Sequence, residues 1–316
     1  MPTSNQFLKC LLLLTIVPLS YATFPRIGAL NVQDFNPSKI DNKAIVGVLF
    51  KIVARYEIVF LQQIKGMTDD DVETLMSKVK QRTRENFGYK LSKPLGDDKE
   101  QYGFLYRKKH IKYSSQTLSK KTANMFRRPP LVGTFSLPYD DITEVTVIGI
   151  HVDSDNVKEE MDSLVEVINE LDKKVSQKNF VIMGTLNTDC QYCNTECKKD
   201  LLMVKDKNYK WLISNDTTIE DNSCAFDQAI ITGSNLKRIV QNAGSVFQFD
   251  KEYKLSAQMA EKVTVHYPIE FALQVTTEKP NSTLKTPQPE VTTTSGGSNL
   301  IIEISLGLLC MALLLL

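Results

Sequence analysis

Along the chain, apolar runs that stop at a glycine or a polar pair alternate with stretches of helical period. "RIGALNV", beginning at Arg26, reads as a strand of mixed apolar character. Over residues 38–55, Ile45, Leu49, Ile52 and Val53 recur on one face, which predicts a helix laid on a sheet. "EIVFLQQI" is nearly all apolar and so predicts a strand buried on both faces. "QYGFLYRK", "PLVGTFSL" and "EVTVIGIHV" are strand-like, and residues 157–175 form the clearest amphipathic helix, with Val157, Met161, Leu164, Ile168 and Leu171 on one side. "NFVIMG", "FDQAIITG" and "HYPIEFALQV" complete the strands. This alternation predicts one α/β domain over residues 23–275, with a mixed sheet or two and helices outside.

Beyond that stretch the pattern fails at both ends. Lys9, the run "CLLLLTIVPL" and the small residues of "SYA" predict a signal peptide over 1–22, taking Cys10 with it. Residues 276–299 are Thr/Pro-rich with nothing to bury, which predicts a flexible, glycosylated stalk. The small residues Ser295, Gly296 and Gly297, a spacer and the apolar tail 300–316 fit a GPI-attachment signal at Ser295. A transmembrane anchor fits less well, since Glu303 interrupts the tail and no Lys or Arg marks a cytoplasmic flank. The expected location is the extracellular face of the plasma membrane. Asn215 and Asn281 each begin a glycosylation sequon.

A formal charge of +1 over 316 residues gives no global field toward nucleic acid. The basic run 107–121, "RKKHIKYSSQTLSKK", is the best local patch, although such runs commonly form solvated surface. Four cysteines remain in the expected domain: Cys190, Cys193, Cys197 and Cys224. A zinc site lacks the second CxxC or nearby histidines it needs, so a secreted chain points to disulfides, with three connectivities open.

Two of the three histidines, His151 and His266, stand at strand ends, where an imidazole can move protons or simply cap a strand. The strand "NFVIMG" also stops at Gly184 and then offers Thr185 and Asn187, a usual place for chemistry in an α/β protein. A metal site there would want a carboxylate where Thr185 stands.

The stretches "IGALNVQDF", "RYEIVFLQQIKG", "KPLGDDKEQYGFLYR", "FRRPPLVGTFSLP", "GIHVDSDNV", "FVIMGTLNTDCQY", "KWLISNDTTIEDNSCAFDQAIITG" and "VHYPIEFAL" together resemble the deoxyribonuclease I family, in its order and across the whole domain. The tail resembles that family's membrane-anchored branch. The resemblance implies a four-layer α/β sandwich of two packed mixed β-sheets with outer helices. It implies hydrolysis of DNA phosphodiesters with Mg²⁺ and Ca²⁺ through two histidine–carboxylate pairs, here His151 with Glu100 and His266 with Asp227. It also implies phosphate contacts from Asn31, Arg127 and Asn187, and a Cys190–Cys224 disulfide worth roughly 3 to 4 kcal/mol. Cys193 and Cys197 are left to bond to each other within one turn.

Three metal-site carboxylates of the family are missing: Gln63, Thr185 and Val265 stand in their places, and Gln33 and Gln228 replace two arginines. A hard cation held by one or two carboxylates loses its ligands, and the expected loss is at least roughly three to five orders of magnitude in rate. The expectation is therefore a catalytically weak or inactive surface binding protein, with DNA or another macromolecule as partner. The alternative is an active endonuclease whose Mg²⁺ or Ca²⁺ is held by substituted ligands among Asp34, Asp153 and Asp189.

Overall fold

Capping residues set where the chain turns from strand to helix. Asn36 accepts from the Lys39 backbone and is followed by Pro37, starting a short helix, Pro37–Asp41. Asn42 then ends that helix and caps the next, Lys43–Val53, by accepting from Ala44 and Ile45. The single helix expected over 38–55 is thus two. The expected helix 157–175 ends at Leu171. A helix absent from the periodicity above, Asp69–Thr83, begins with a reciprocal Thr68–Asp71 capping box and ends at Arg84 in the left-handed conformation. Its buried stripe is only Val72, Leu75 and Val79.

These assignments come from a computed structural model that describes residues 24–220 and 223–275. The expected signal peptide, the Thr/Pro-rich segment with Asn281 and Ser295, and the apolar tail lie outside the described residues. Among the described residues, no helix is long and apolar enough to cross a membrane.

The described residues hold twelve strands: β1 (Arg26–Phe35), β2 (Ile58–Lys65), β3 (Phe87–Leu91), β4 (Glu100–Arg107), β5 (Lys112–Gln116), β6 (Leu131–Ser136), β7 (Glu144–Gly149), β8 (Phe180–Thr185), β9 (Lys210–Trp211), β10 (Asp227–Thr232), β11 (Ser245–Val246) and β12 (Ile269–Ala272). They form two six-stranded mixed sheets, ordered β11-β12-β1-β2-β4-β3 and β5-β6-β7-β8-β10-β9. Inner faces meet through Ile27, Ile58, Phe60, Phe104, Phe135 and Val181 with their neighbours. On the outside, helices Lys43–Val53 and Asp69–Thr83 cover the first sheet, and helix Val157–Leu171 covers the second. The result is the expected four-layer α/β sandwich.

Strand direction gathers the polar residues at one end. β1 and β2 run parallel and place Asn31 opposite Gln62. β4 runs antiparallel to β2, so its first residue, Glu100, lies opposite Lys65. In the second sheet β10 runs antiparallel to β8, so its first residue, Asp227, lies opposite Thr185. The other end holds Arg26 paired with Ala272, and Ile58 paired with Tyr106.

Candidate active site

Gly184 is where β8 can turn its last residue toward the first sheet. Its φ of 138° is open to glycine, and a Cβ there would stand 2.0 Å from the Ile150 carbonyl oxygen. The next residue, Thr185, lies at the centre of a buried network. Its hydroxyl donates to Asp227 Oδ1 at 2.6 Å and accepts from Asn31 Nδ2 at 3.2 Å and from Gln62 Nε2. Its backbone N–H donates back to Gln62 Oε1 at 3.1 Å. One hydroxyl hydrogen and two lone pairs are all that threonine has, and all are used. The neutral side chain at this position therefore bridges the two sheets.

Both histidine–carboxylate pairs are assembled. Nδ1 of His151 lies 2.9 Å from Glu100 Oε2, and Nδ1 of His266 lies 2.7 Å from Asp227 Oδ2. A carboxylate only accepts, so each ring carries its hydrogen on Nδ1 and leaves Nε2 for other partners. The backbone holds His266 closely: its N–H donates to Thr264 Oγ1 at 3.1 Å, and that hydroxyl donates to the Asn31 carbonyl at 2.6 Å. Asp227 also takes support from Thr217, whose hydroxyl accepts the Asp227 N–H at 3.1 Å. Pro268 follows too closely for the strand to begin at His266, so β12 starts at Ile269.

Burial favours the neutral form of the His266 imidazole, but the charge and hydrogen bond of Asp227 outweigh it and hold its pKa above 6.5. Burial likewise raises Asp227, and here the His266 charge and the hydrogen bonds from His266, Thr185 and Thr217 win, holding the carboxyl below 3.8. A group raised in the folded state stabilises fully below its unfolded pKa and loses that contribution as pH rises through the folded value. Stability should therefore fall as pH climbs beyond 6.5, and acid should weaken the Asp227 side only below 3.8. Melting temperatures measured against pH should show the alkaline fall in the wild type and a flatter limb in His266→Gln. Equal slopes would refute the assignment.

The phosphate-contact candidates are arranged unequally. Asn31 is buried and its amide is committed to Thr185, while Asn187 is buried and donates to the Val152 carbonyl at 2.9 Å. Arg127 is exposed and pairs with Asp153 at 3.1 Å. Gln228 is buried and donates to the Ala225 carbonyl, so this glutamine faces the interior. The basic run 107–121 begins at the end of the sandwich away from this site and crosses the second sheet as β5, from Lys112 opposite Ser136 to Gln116 opposite Val132. Arg107, at the far end of β4, is ion-paired with Glu57 and Glu85.

At the three positions that lack a carboxylate, the residues do not fit a divalent cation. The Thr185 oxygen has no lone pair to give. Val265 brings no side-chain oxygen, and its N–H is taken by Gln33 Oε1 at 3.1 Å. Gln63 sits on a β-bulge with φ of 59° and contributes its backbone N–H to Glu100 Oε1 at 2.9 Å. Among the described residues, no three of His, Cys, Asp and Glu converge as a metal-ligand group. The three substitute carboxylates are engaged separately: Asp34 with Lys65 at 2.6 Å, Asp153 with Arg127 and Asn156, and Asp189 with the Ala225 N–H at 2.9 Å.

Sequence reasoning missed Gln62, Thr217, Thr264 and Glu160. Strand alternation from Asn31 to its register partner could have found Gln62. Glu160 is buried and accepts from the Arg127 N–H at 2.7 Å and the Asp153 N–H at 2.8 Å, pinning the two loops that flank His151. Both disulfides are present, Cys190–Cys224 and Cys193–Cys197, the second across four residues as expected. Asn215 is exposed.

No family model matches the chain. It is 31% identical to deoxyribonuclease gamma of Homo sapiens over 275 residues, covering 83% of this chain and 90% of the relative. Against deoxyribonuclease-1 of Rattus norvegicus it is 30% identical over 276 residues, covering 84% and 97%. Among solved structures, an endonuclease/exonuclease/phosphatase family protein from Leptotrichia buccalis matches with a TM-score of 0.54 at 15% identity, covering 79% of this chain and 99% of that one. The sandwich, the two histidine–carboxylate pairs and this level of identity across the domain lead to one conclusion: the chain belongs to the deoxyribonuclease I family.

Proposed function

We propose that this protein is a catalytically weak or inactive deoxyribonuclease I-like protein that uses its groove for binding, with DNA as the first ligand to test. The observation that carries this reading is the Thr185 hydroxyl, whose one hydrogen and two lone pairs are spent on Asp227, Asn31 and Gln62. Relatives in the family are named as deoxyribonucleases, and the family's chemistry is typically dependent on a divalent metal. In this chain Glu100, His151, Asp227 and His266 are retained, while Gln63, Thr185 and Val265 leave Mg²⁺ or Ca²⁺ without the expected acidic ligands. Any such ion would supply charge stabilisation at the phosphate. The residues of the chain itself orient two imidazoles and hold their protons on Nδ1.

Secretion, removal of residues 1–22, glycosylation at Asn215 and Asn281, and GPI attachment at Ser295 belong to the same proposal. They rest on the sequence signals alone and place the groove outside the cell. The experiment is plasmid nicking by the purified protein with Mg²⁺ plus Ca²⁺, and separately with Mn²⁺, beside His266→Ala. No nicking is expected. Nicking that disappears in the variant would overturn the reading in favour of an active endonuclease. In parallel, duplex DNA should bind with an affinity that falls steeply with salt. No binding at low salt would exclude DNA as the ligand of the groove.

A further inference from the structure

The basic run that begins at Arg107 meets other cations at the end of the sandwich opposite Glu100 and Asp227. β4 ends at Arg107, whose Nη1 lies 3.0 Å from Glu85 and whose Nε lies 3.2 Å from Glu57. Lys108 and Lys109 follow in an exposed turn, and the Lys108 N–H donates to the Asn86 carbonyl at 2.9 Å. That bond brings the turn close to the end of helix Asp69–Thr83, where Arg82 and Arg84 are exposed. Lys51, in the last turn of helix Lys43–Val53, is exposed beside a hollow of about 350 Å³ that Arg82 and Arg107 also line. Glu57 and Glu85 are both held by Arg107, and none of Lys51, Arg82, Arg84, Lys108 and Lys109 forms an ion pair with another described residue.

Exposed cations gathered from separate elements give this end a local positive field that the chain's net charge of +1 conceals. A polyanion is the matching partner. Arginine forks and lysine ammonium groups bind sulfate and phosphate alike, so the aromatic rings decide between the two. Single-stranded nucleic acid is held by stacking its bases on open ring faces. Here the rings are covered. Lys51 lies over Tyr253 at 5.0 Å, Arg107 lies over Phe87 at 5.3 Å, and Phe50 is buried. A sulfated sugar chain needs the cations and no stacking platform.

We propose that this end of the sandwich binds a sulfated polysaccharide, with Lys51, Arg82, Arg84, Lys108 and Lys109 as its contacts. The surface is separate from the groove. The inference therefore goes beyond the function proposed above and stands or falls independently of the nicking result.

The test is binding of the purified full-length protein to heparin in about 0.1 M salt, where charges more than about 10 Å apart are largely screened. Wild type should bind. Lys108→Glu/Lys109→Glu should weaken binding at least about tenfold, because attractions at short range become repulsions. Arg82→Glu, on a different element, should weaken it as well. Lys120→Glu/Lys121→Glu makes the same change in net charge on helix Lys120–Ala123, elsewhere in the basic run, and should bind within about twofold of wild type. The proposal is overturned if wild type does not bind heparin, or if Lys108→Glu/Lys109→Glu or Arg82→Glu binds as wild type does. Equal losses in the two double variants would also overturn it, since net charge alone would then explain the binding. So would displacement of heparin from wild type by duplex DNA at a lower concentration of charge, which would give the surface to nucleic acid.

Discussion

Thr185→Val is expected to destabilise the protein by about 3 to 5 kcal/mol, a large effect for a change that keeps the side chain's shape. Valine fills the same volume but removes the donor to Asp227 and the acceptor for both Asn31 and Gln62. Each neutral group left unmatched inside the protein costs about 1 to 3 kcal/mol, and a carboxylate costs more. Relaxation recovers part of that sum. Thr185→Ser keeps the hydroxyl and should cost about 1 kcal/mol, for the lost methyl alone. Thr185→Asp is the informative third variant, since it places a second carboxylate within hydrogen-bond reach of Asp227. At neutral pH the two would repel. In mild acid the new group can hold a proton and donate as threonine does, so the aspartate variant should regain stability between pH 7 and 5. Denaturant midpoints of the three variants at both values are the measurement. A valine variant within about 1 kcal/mol of wild type would mean that the network contributes little.

The second large effect should come from Glu100. Its two oxygens hold the His151 ring, the Gln63 N–H and the Arg128 guanidinium from a position with almost no solvent contact. Glu100→Ala strands a buried cation, which typically costs about 3 to 5 kcal/mol. Glu100→Gln keeps the shape and one oxygen but cannot neutralise Arg128, so an intermediate loss is expected. The same substitutions release Nδ1 of His151 from its acceptor. Nitrogen chemical shifts of the imidazole should then report a mixture of tautomers where wild type shows one. A single unchanged tautomer in Glu100→Ala would show that the carboxylate does not set the ring's protonation.

What the chain shows in advance depends on whether a signal is local. The strands "EIVFLQQI", "EVTVIGIHV" and "NFVIMG" are readable because strands buried on both faces must be apolar almost throughout. His151 and His266 are readable as a pair because each directly follows or precedes such a run. The two-residue strands β9 and β11 are not readable, since they exist only as partners of β10 and β12. Helix Asp69–Thr83 carries three buried positions in fifteen, too thin a stripe to stand out, although its capping box is written in the sequence. The site shows the same division. The replacement of a carboxylate by Thr185 is visible residue by residue. Gln62 lies on the regular alternation of β2, before the bulge at Gln63, but its contact with Thr185 crosses between the sheets and is not written in its own strand. Arg128 reads as one more surface cation in a basic stretch, and only the packing of Asp98 and Glu100 reveals it as an interior one.

The pairing of β12 with β1 has a practical consequence. Arg26 faces Ala272, and the Leu273 N–H donates to the Pro25 carbonyl at 2.9 Å, so the chain enters and leaves the sandwich side by side. Asn31 is five residues further along β1, or roughly 16 Å at the usual rise of a strand. A fluorophore, a bead or a fusion partner joined at either boundary would therefore sit at the end of the sheets opposite Glu100, Thr185 and Asp227, leaving that end open to the medium. Because the two boundaries are neighbours, a short loop could also join them, and new ends could be cut elsewhere without rethreading either sheet.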